Sequence, residues 1–123
     1  MSGNNYLLDT NIVLYLLSGD TVLAGIINNR KPYLSYITEM ELLSSPKLSF
    51  AEEKAIKYFL DACFIVEMNQ EIKQMAIQIR RNNGLKLPDS IIADSAEFSG
   101  LSLLTADAEF NKLKSLGILQ YKK

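Results

Sequence analysis

Short apolar segments of strand type alternate along this chain with longer segments that have helical spacing. The strand-type segments cover residues 6–8, 32–36, 64–66, 101–105 and 118–121. Strands separated by helices pair in parallel through right-handed crossovers, and helices then cover both faces of the sheet. The alternation therefore predicts an α/β fold, a three-layer α/β/α arrangement with a central parallel sheet of about five strands. We expect residues 1–123 to form a single domain.

Local signals mark where the helices begin and end. Thr10 or Asn11 can cap a helix that runs to residue 17, and Asp20 can cap a short helix that runs to residue 27. Ser49 and Glu52 form a capping box, and the apolar residues that follow it at helical spacing are Ala51, Ala55, Phe59 and Cys63. Further helices are expected over residues 37–43, 69–83, 89–98 and 108–116.

The composition excludes several classes of site. The chain has no histidine, so a Ser-His-Asp triad, a histidine base and a histidine-ligated zinc site are impossible. Its one cysteine, Cys63, cannot form an internal disulfide. The net charge of −1 argues mildly against a non-catalytic nucleic-acid-binding module. Any catalysis must come from carboxylates, hydroxyls, lysines or bound metal.

The chain lacks the signals of export or membrane insertion. Residues 1–5 do not have the basic start and apolar core of a signal peptide. No uncharged apolar run approaches the roughly 18 to 20 residues of a membrane span. The sequence therefore predicts a cytoplasmic protein.

Of four acidic residues far apart in sequence, three fall near predicted strand ends or helix starts, and the fourth lies one turn into a helix that follows a strand. Asp9 follows the first strand and Asp107 lies just past the strand over residues 101–105. Asp89 begins a helix, and either Glu39 or Glu41 could face the same region. Parallel sheets bind ligands beyond the carboxyl ends of their strands, so these side chains could meet there.

Carboxylates that meet in one place raise each other's pKa, and a bound divalent cation removes that penalty. Ligation by oxygen alone suits Mg²⁺ or Mn²⁺. One or two such ions can activate water and orient a phosphodiester. Asp9 needs such a partner most, because it interrupts an otherwise apolar segment.

Four motifs resemble, in order, those of the PIN-domain nucleases, particularly the VapC-type toxins of toxin–antitoxin pairs. They are residues 7–11 (LLDTN), 35–43 (SYITEMELL), 87–93 (LPDSIIA) and 103–110 (LLTADAEF). In this resemblance the acid of the second motif is Glu41 rather than Glu39. The match spans nearly the whole chain.

The resemblance implies Mg²⁺- or Mn²⁺-dependent endonucleolytic cleavage of RNA. In that reading the catalytic and metal-binding residues are Asp9, Glu41, Asp89 and Asp107. Asn11 and Thr105 would support them by hydrogen bonds, and Thr10 is expected to be a helix cap instead of a catalytic group. The resemblance also implies a homodimer and a cognate antitoxin that inserts into a groove beside the site.

Other residues carry weaker signals. Arg81 and Lys86 precede the third motif and could bind RNA phosphates. Asp94 stands where the family usually has a small residue, about 140° around the helix from Asp89, and is expected to be solvated or at an interface. Cys63 is expected in the core, and the aromatic residues expected to pack are Tyr15, Phe50, Phe59 and Phe64.

Other functions fit less well. A phosphatase of the haloacid dehalogenase type needs a second aspartate two residues after the first, where this chain has Asn11. A response-regulator receiver needs an acidic pair before Asp9, which is the first acid in the chain. The remaining alternative is a catalytically inactive PIN-like binding or regulatory module.

Overall fold

A computed structural model describes residues 5–123 of the chain. Residues 1–4 lie outside the described residues. They belong to the segment over residues 1–5, in which the sequence predicts no signal peptide. The elements in order are β1 (Tyr6–Leu8), α1 (Thr10–Leu17), α2 (Thr21–Ile27), β2 (Tyr33–Ser35), α3 (Tyr36–Leu43), α4 (Phe50–Asp61), β3 (Phe64–Val66), α5 (Gln70–Asn83), α6 (Leu87–Ser99), β4 (Ser102–Thr105), a 3₁₀ helix (Ala108–Lys112) and β5 (Ile118–Gln120).

The five strands form one sheet in the order β3-β2-β1-β4-β5, and all its pairs are parallel. The chain builds outward from β1 to β2 and β3, and then returns to place β4 on the other side of β1. The strand order therefore reverses between β1 and β4. Ligands of open parallel sheets bind at such a reversal, beyond the carboxyl ends of the strands.

Alternation along the strands divides the core into two layers, because successive side chains of a strand point to opposite faces. Leu7 and Leu103 pack in the cluster that contains residues of α6 and the 3₁₀ helix. Leu8 and Leu104 pack in the cluster that contains residues of α1, α2 and α4. The three-layer α/β/α fold with five parallel strands is thus confirmed.

Most of the capping signals are confirmed. Asp20 caps α2 by accepting the Leu23 N–H at 3.0 Å, and Ser49 and Glu52 form both hydrogen bonds of the capping box. The cap of α1 was predicted wrongly, because Asp9 occupies that position and its carboxylate accepts the Thr10 N–H. The hydroxyl of Thr10 is thereby free to contact another element.

One predicted helix is shorter than expected, and the buried face of α4 is one that the sequence did not identify. The helix expected over residues 108–116 is only a 3₁₀ helix that ends at Lys112. The buried residues of α4 are Ile56 and Leu60, whereas Ala51 and Ala55 are exposed. Because Ile56 and Leu60 are also four residues apart, helical spacing alone fits either face.

The aromatic residues do not all pack as expected. Phe50 is 83% exposed, so the prediction that it is a packing residue is wrong, whereas Phe64, 45% exposed, packs its ring 4.9 Å from that of Tyr33. Tyr15, Phe59 and Cys63 are partly buried against the core cluster that includes α1 and α4.

No single helix among residues 5–123 is long and apolar enough to cross a membrane. Helices α1 and α2 meet the length and composition criteria only when taken as a pair bent by 117°.

Candidate active site

Asp9 is fixed at the carboxyl end of β1, beside the strand reversal. Its backbone N–H donates to the carbonyl of Leu104 on β4 at 3.0 Å. Its carboxylate accepts the Thr10 N–H at 2.8 Å through Oδ1 and the Thr105 hydroxyl at 2.7 Å through Oδ2. The residue is only 5% exposed. These two hydrogen bonds supply the partners that a buried carboxylate requires.

Thr105 connects Asp9 to the segment that carries Asp107. While its hydroxyl donates to Asp9, it accepts the backbone N–H of Asp107 at 3.0 Å. The carboxylate of Asp107 in turn accepts the Glu109 N–H at 2.9 Å and begins the 3₁₀ helix. A fully buried threonine therefore orders both acids that follow the central strands.

Glu41 joins the same network through Thr10. The Thr10 hydroxyl donates to Oε1 of Glu41 at 2.7 Å and lies 3.0 Å from the hydroxyl of buried Thr38. Of the two glutamates that the sequence left open on α3, Glu41 is thus the one that contacts the first motif. The role of the Thr10 and Thr38 hydroxyls was not predicted; the signal available for Thr10 was its position directly after Asp9.

The charges of the four acids act on one another. Burial raises the pKa of Asp9, the hydrogen bonds from Thr105 and the Thr10 N–H oppose that rise, and the charges of Asp107 and Glu41 add to it. The four sequence-predicted acids therefore lie within electrostatic reach at one edge of the sheet.

Asp89, in the first turn of α6, is part of this group. Its pKa is raised to about 6, first by burial and then by the charges of Asp9, Asp107 and Glu41, with Lys86 opposing the rise. Like charges this close favour protonation of one member unless a cation neutralises them.

The donor set fits a hard divalent cation in chemistry, since it consists of carboxylate and hydroxyl oxygens alone. As placed, however, no three acidic or cysteine side chains among residues 5–123 are arranged to hold one metal ion together. Each carboxylate oxygen of Asp9 accepts one hydrogen bond and keeps a second lone pair that a cation could use. Binding of one ion by three of the acids together would require their side chains to move.

The residues expected to support the acids or to bind RNA lie in different surroundings. Asn11 is exposed on α1, and within residues 5–123 the hydrogen bonds that order the carboxylates do not run through it. Lys86 is exposed and lowers the pKa of both Asp89 and Glu109, which places its charge near the site. Arg81 is exposed beside a small cavity of about 300 Å³.

Asp94 corrects a prediction, because it is 3% exposed and not solvated. Its Oδ2 atom is buried without a hydrogen-bond partner in the described part of the chain. The sequence prediction placed Asp94 only by its angle from Asp89 around α6. It did not take into account that α5 packs against α6.

Comparisons with known proteins agree with this geometry. A sequence profile of the PIN domain matches residues 6–116. No curated protein sequence matches the chain.

Solved structures show the same fold. A chain of a toxin–antitoxin complex from Klebsiella pneumoniae is 28% identical, with a TM-score of 0.83 over 96% of this chain and 99% of that one. A chain of DNA-bound VapBC2 from Rickettsia felis is 21% identical, with a TM-score of 0.82 over 96% and 99%. A chain of VapBC-1 from nontypeable Haemophilus influenzae is 23% identical, with a TM-score of 0.80 over 97% and 99%.

The four motifs identified in the sequence all lie within the matched residues 6–116. The protein therefore belongs to the PIN domain family and has the fold found in VapBC toxin–antitoxin complexes.

Proposed function

We propose that this chain is the toxin of a toxin–antitoxin pair and a Mg²⁺- or Mn²⁺-dependent endoribonuclease that hydrolyses RNA phosphodiesters. One observation carries the proposal: the buried carboxylate of Asp9 is held by Thr105 at the strand reversal, amid the charges of Glu41, Asp89 and Asp107. Repelling charges in one place are costly. Metal-dependent catalysis would explain why the four carboxylates lie together.

The four acids would have different roles, according to their surroundings. Asp9 and Asp89 would hold the cation, while Glu41 and Asp107 would complete the pocket and orient water. A divalent cation bound there supplies an activated water and neutralises charge on the phosphate. The Thr10 hydroxyl keeps Glu41 directed toward Asp9, and Thr105 keeps Asp9 and Asp107 in register.

Substrate contacts would come from positive charge beside the acids. Lys86 lies within electrostatic reach of Asp89, so an RNA phosphate near the carboxylates would meet its ammonium group. Arg81 lies on the last turn of the preceding helix, α5, and could extend this path. Such contacts position the backbone and carry no base specificity.

An inactive PIN-like binding or regulatory module is the second candidate. It is favoured by the absence, among residues 5–123, of three acids placed to hold one ion. Against it, all four acids are present, and the charges of Asp9, Glu41 and Asp107 raise the pKa of Asp89. Metal binding by the isolated protein distinguishes the two candidates.

The decisive experiment measures cleavage of a labelled RNA by the purified chain with Mg²⁺, Mn²⁺ or EDTA. We expect cleavage with either ion, none with EDTA, and little of a DNA strand of the same sequence. Asp9→Asn and Asp89→Asn should each abolish cleavage. Asp61→Asn, which removes an exposed acid at the end of α4, is the matched control and should cleave normally.

If no RNA is cleaved, calorimetry with Mn²⁺ distinguishes a chain tested with the wrong RNA from a chain that has no metal site. The unaltered chain and Asp61→Asn should bind the ion, and Asp9→Asn and Asp89→Asn should not. If binding is undetectable, or unchanged by both substitutions, the metal-dependent mechanism fails and the inactive module is favoured.

The antitoxin would occupy a groove beside Glu41. This groove has a volume of about 500 Å³ and lies between α1, α3 and α4, with Leu14, Leu17 and Ile56 among its apolar residues. Ala55 lines it and also borders an apolar depression under exposed Tyr58. A partner segment with an apolar face could cover both surfaces.

Growth of the host tests the biological role. Expression of the chain alone should slow growth, Asp9→Asn should remove the effect, and co-expression of the product of the adjacent reading frame should restore growth. Ala55→Glu should weaken the complex with that product, whereas Lys57→Ala, outside the groove, should not. Sedimentation of the isolated chain tests the homodimer that we also propose.

A further inference from the structure

A second concave region lies away from the catalytic acids, between α5, α6 and the segment after the 3₁₀ helix. It has a volume of about 630 Å³. Glu71, Asp94 and Glu97 give it acidic walls, and Met75 and Phe98 give it apolar ones. No part of the function proposed above uses this cleft.

Asp94 is the unusual group in the cleft. It is 3% exposed, and its Oδ2 atom has no hydrogen-bond partner within residues 5–123. A buried carboxylate without a partner is costly, so such groups either take up a proton or acquire a cationic partner. Burial, together with the charges of Glu97 and Glu71, raises the pKa of Asp94 to about 6. Near neutral pH the carboxylate is thus mainly ionised, while its Oδ2 atom has no partner among residues 5–123.

We propose that this cleft binds the guanidinium group of an arginine side chain on a partner polypeptide. A guanidinium is planar and presents five N–H donors, which suit two carboxylates such as Asp94 and Glu97. Met75 and Phe98, each 47% exposed, offer apolar and aromatic surface for the arginine stem and for stacking.

A metal ion is the less suitable ligand. Within the described residues no three acids are arranged around one ion position, in this cleft or elsewhere. Part of the wall is apolar, formed by Met75, Ile79, Phe98 and Leu113, and a hydrated cation would not contact it favourably. The inference is independent of catalysis, because Asp94 lies five residues, about 7.5 Å along the helix axis, beyond Asp89.

Two lysines at the rim compete with a bound arginine for the acidic side chains of the cleft. Lys112 is already paired with Glu109 at 2.7 Å. Lys114 lines the cleft and takes part in none of the ion pairs found in residues 5–123. Its single ammonium cannot bridge two carboxylates in the way that a planar guanidinium does. Its removal should therefore favour the arginine ligand.

Binding is tested by NMR titration of the full chain with the peptide acetyl-Gly-Arg-Gly-amide at constant ionic strength. The arginine peptide should shift amide resonances around Glu71 and Asp94–Phe98 and should lower the pKa of Asp94. The same peptide with citrulline, which is uncharged, should not. Asp94→Asn should weaken binding at least about tenfold, as expected when a charge-assisted hydrogen bond is lost.

Matched variants keep the test decisive. Asp61→Asn, an exposed acid on another helix, should leave binding unchanged, and Lys114→Gln should strengthen it. If Asp94→Asn does not fold, Glu97→Gln at the exposed edge of the cleft takes its place. The proposal would be overturned if the arginine peptide caused no shift, or if Asp94→Asn bound it equally well. It would also be overturned if the cleft responded to Mg²⁺ instead, or bound free ethylguanidinium more tightly than the peptide.

Discussion

The Thr105 hydroxyl donates to Oδ2 of Asp9 at 2.7 Å although the two residues are 96 positions apart in sequence. The bond joins the carboxyl ends of β1 and β4, the two strands between which the sheet order reverses. Because Thr105 also accepts the Asp107 N–H, this one side chain sets the positions of two acids. Substitution of Thr105 is therefore the first test.

Thr105→Val keeps the shape of the buried side chain but removes its hydrogen bonds. A hydrogen bond to a charged group contributes about 2 kcal/mol, so we expect the free energy of unfolding to fall by about that amount. Because the bond lowers the pKa of Asp9, that pKa should rise further, and Mn²⁺ should bind about tenfold more weakly. Urea denaturation and calorimetry measure the two effects. Thr105→Ser, which keeps a hydroxyl, should lose much less of either.

Thr10→Val tests the contact with Glu41 separately from the cap of α1, since the Thr10 N–H that Asp9 accepts is retained. The valine also leaves the hydroxyl of buried Thr38 without its partner, so we expect the free energy of unfolding to fall by about 1–3 kcal/mol. RNA cleavage should also fall about tenfold, as for other residues that orient a metal ligand. Thr10→Ser should restore cleavage. Equal rates for Thr10→Val and the unaltered chain would show that Glu41 needs no such support.

Asp89 should make stability depend on pH when metal is removed with EDTA. Its pKa rises from 3.8 to about 6 on folding, so the folded state binds the proton more tightly. The destabilisation is absent below pH 3.8, grows from there to about pH 6, and is complete above it. For this partly exposed group we expect about 1 kcal/mol after screening, partly offset in Asp89→Asn by the lost interaction with the helix N-terminus.

The check is thermal or urea unfolding of both proteins from pH 3.5 to 8 in EDTA. Asp89→Asn should gain stability relative to the unaltered chain as pH rises through this window, and saturating Mn²⁺ should reduce or reverse the gain. A difference that is constant with pH would contradict the electrostatic explanation.

Asp94→Asn should stabilise the chain at neutral pH in the absence of any ligand. The pKa of Asp94 is about 6 when folded and 3.8 when unfolded, so its ionisation opposes folding increasingly from about pH 4 to pH 6. We expect a gain of about 1–2 kcal/mol above pH 6.5 and none below pH 3.8. Urea midpoints at the two pH values measure it, with Asp61→Asn as the exposed control. A loss of stability at pH 7 would mean that Asp94 already has a partner in the folded chain.

Several features could be predicted because they depend on neighbouring residues. The strand over residues 6–8, the capping box at Ser49 and the end of α5 at Asn83 each follow from a few adjacent side chains and were found as expected. The family followed from four short motifs in order and is confirmed by the profile over residues 6–116. The catalytic roles of the four acids stay predictions.

The wrong predictions concern choices that local pattern leaves open. Both Ala51–Ala55 and Ile56–Leu60 have the spacing of a helix face, and only the sheet beneath α4 selected the second pair. Between Lys112 and Gly117 the chain must turn to bring Ile118 beside Leu103, so the expected helix ends early. Asp94 looked solvated because nothing in the sequence indicates how α5 lies on α6.

The amino-acid order by itself determined that strands and helices alternate, that no histidine chemistry is available and that the acids follow strands or begin helices, since each depends on residue type and short-range spacing. Only the tertiary structure decided that Thr10 orders Glu41, that Thr105 orders Asp9, and that Oδ2 of Asp94 is enclosed without a partner among residues 5–123. These are contacts between side chains on separate elements, and their distances are fixed by how the elements pack around the sheet.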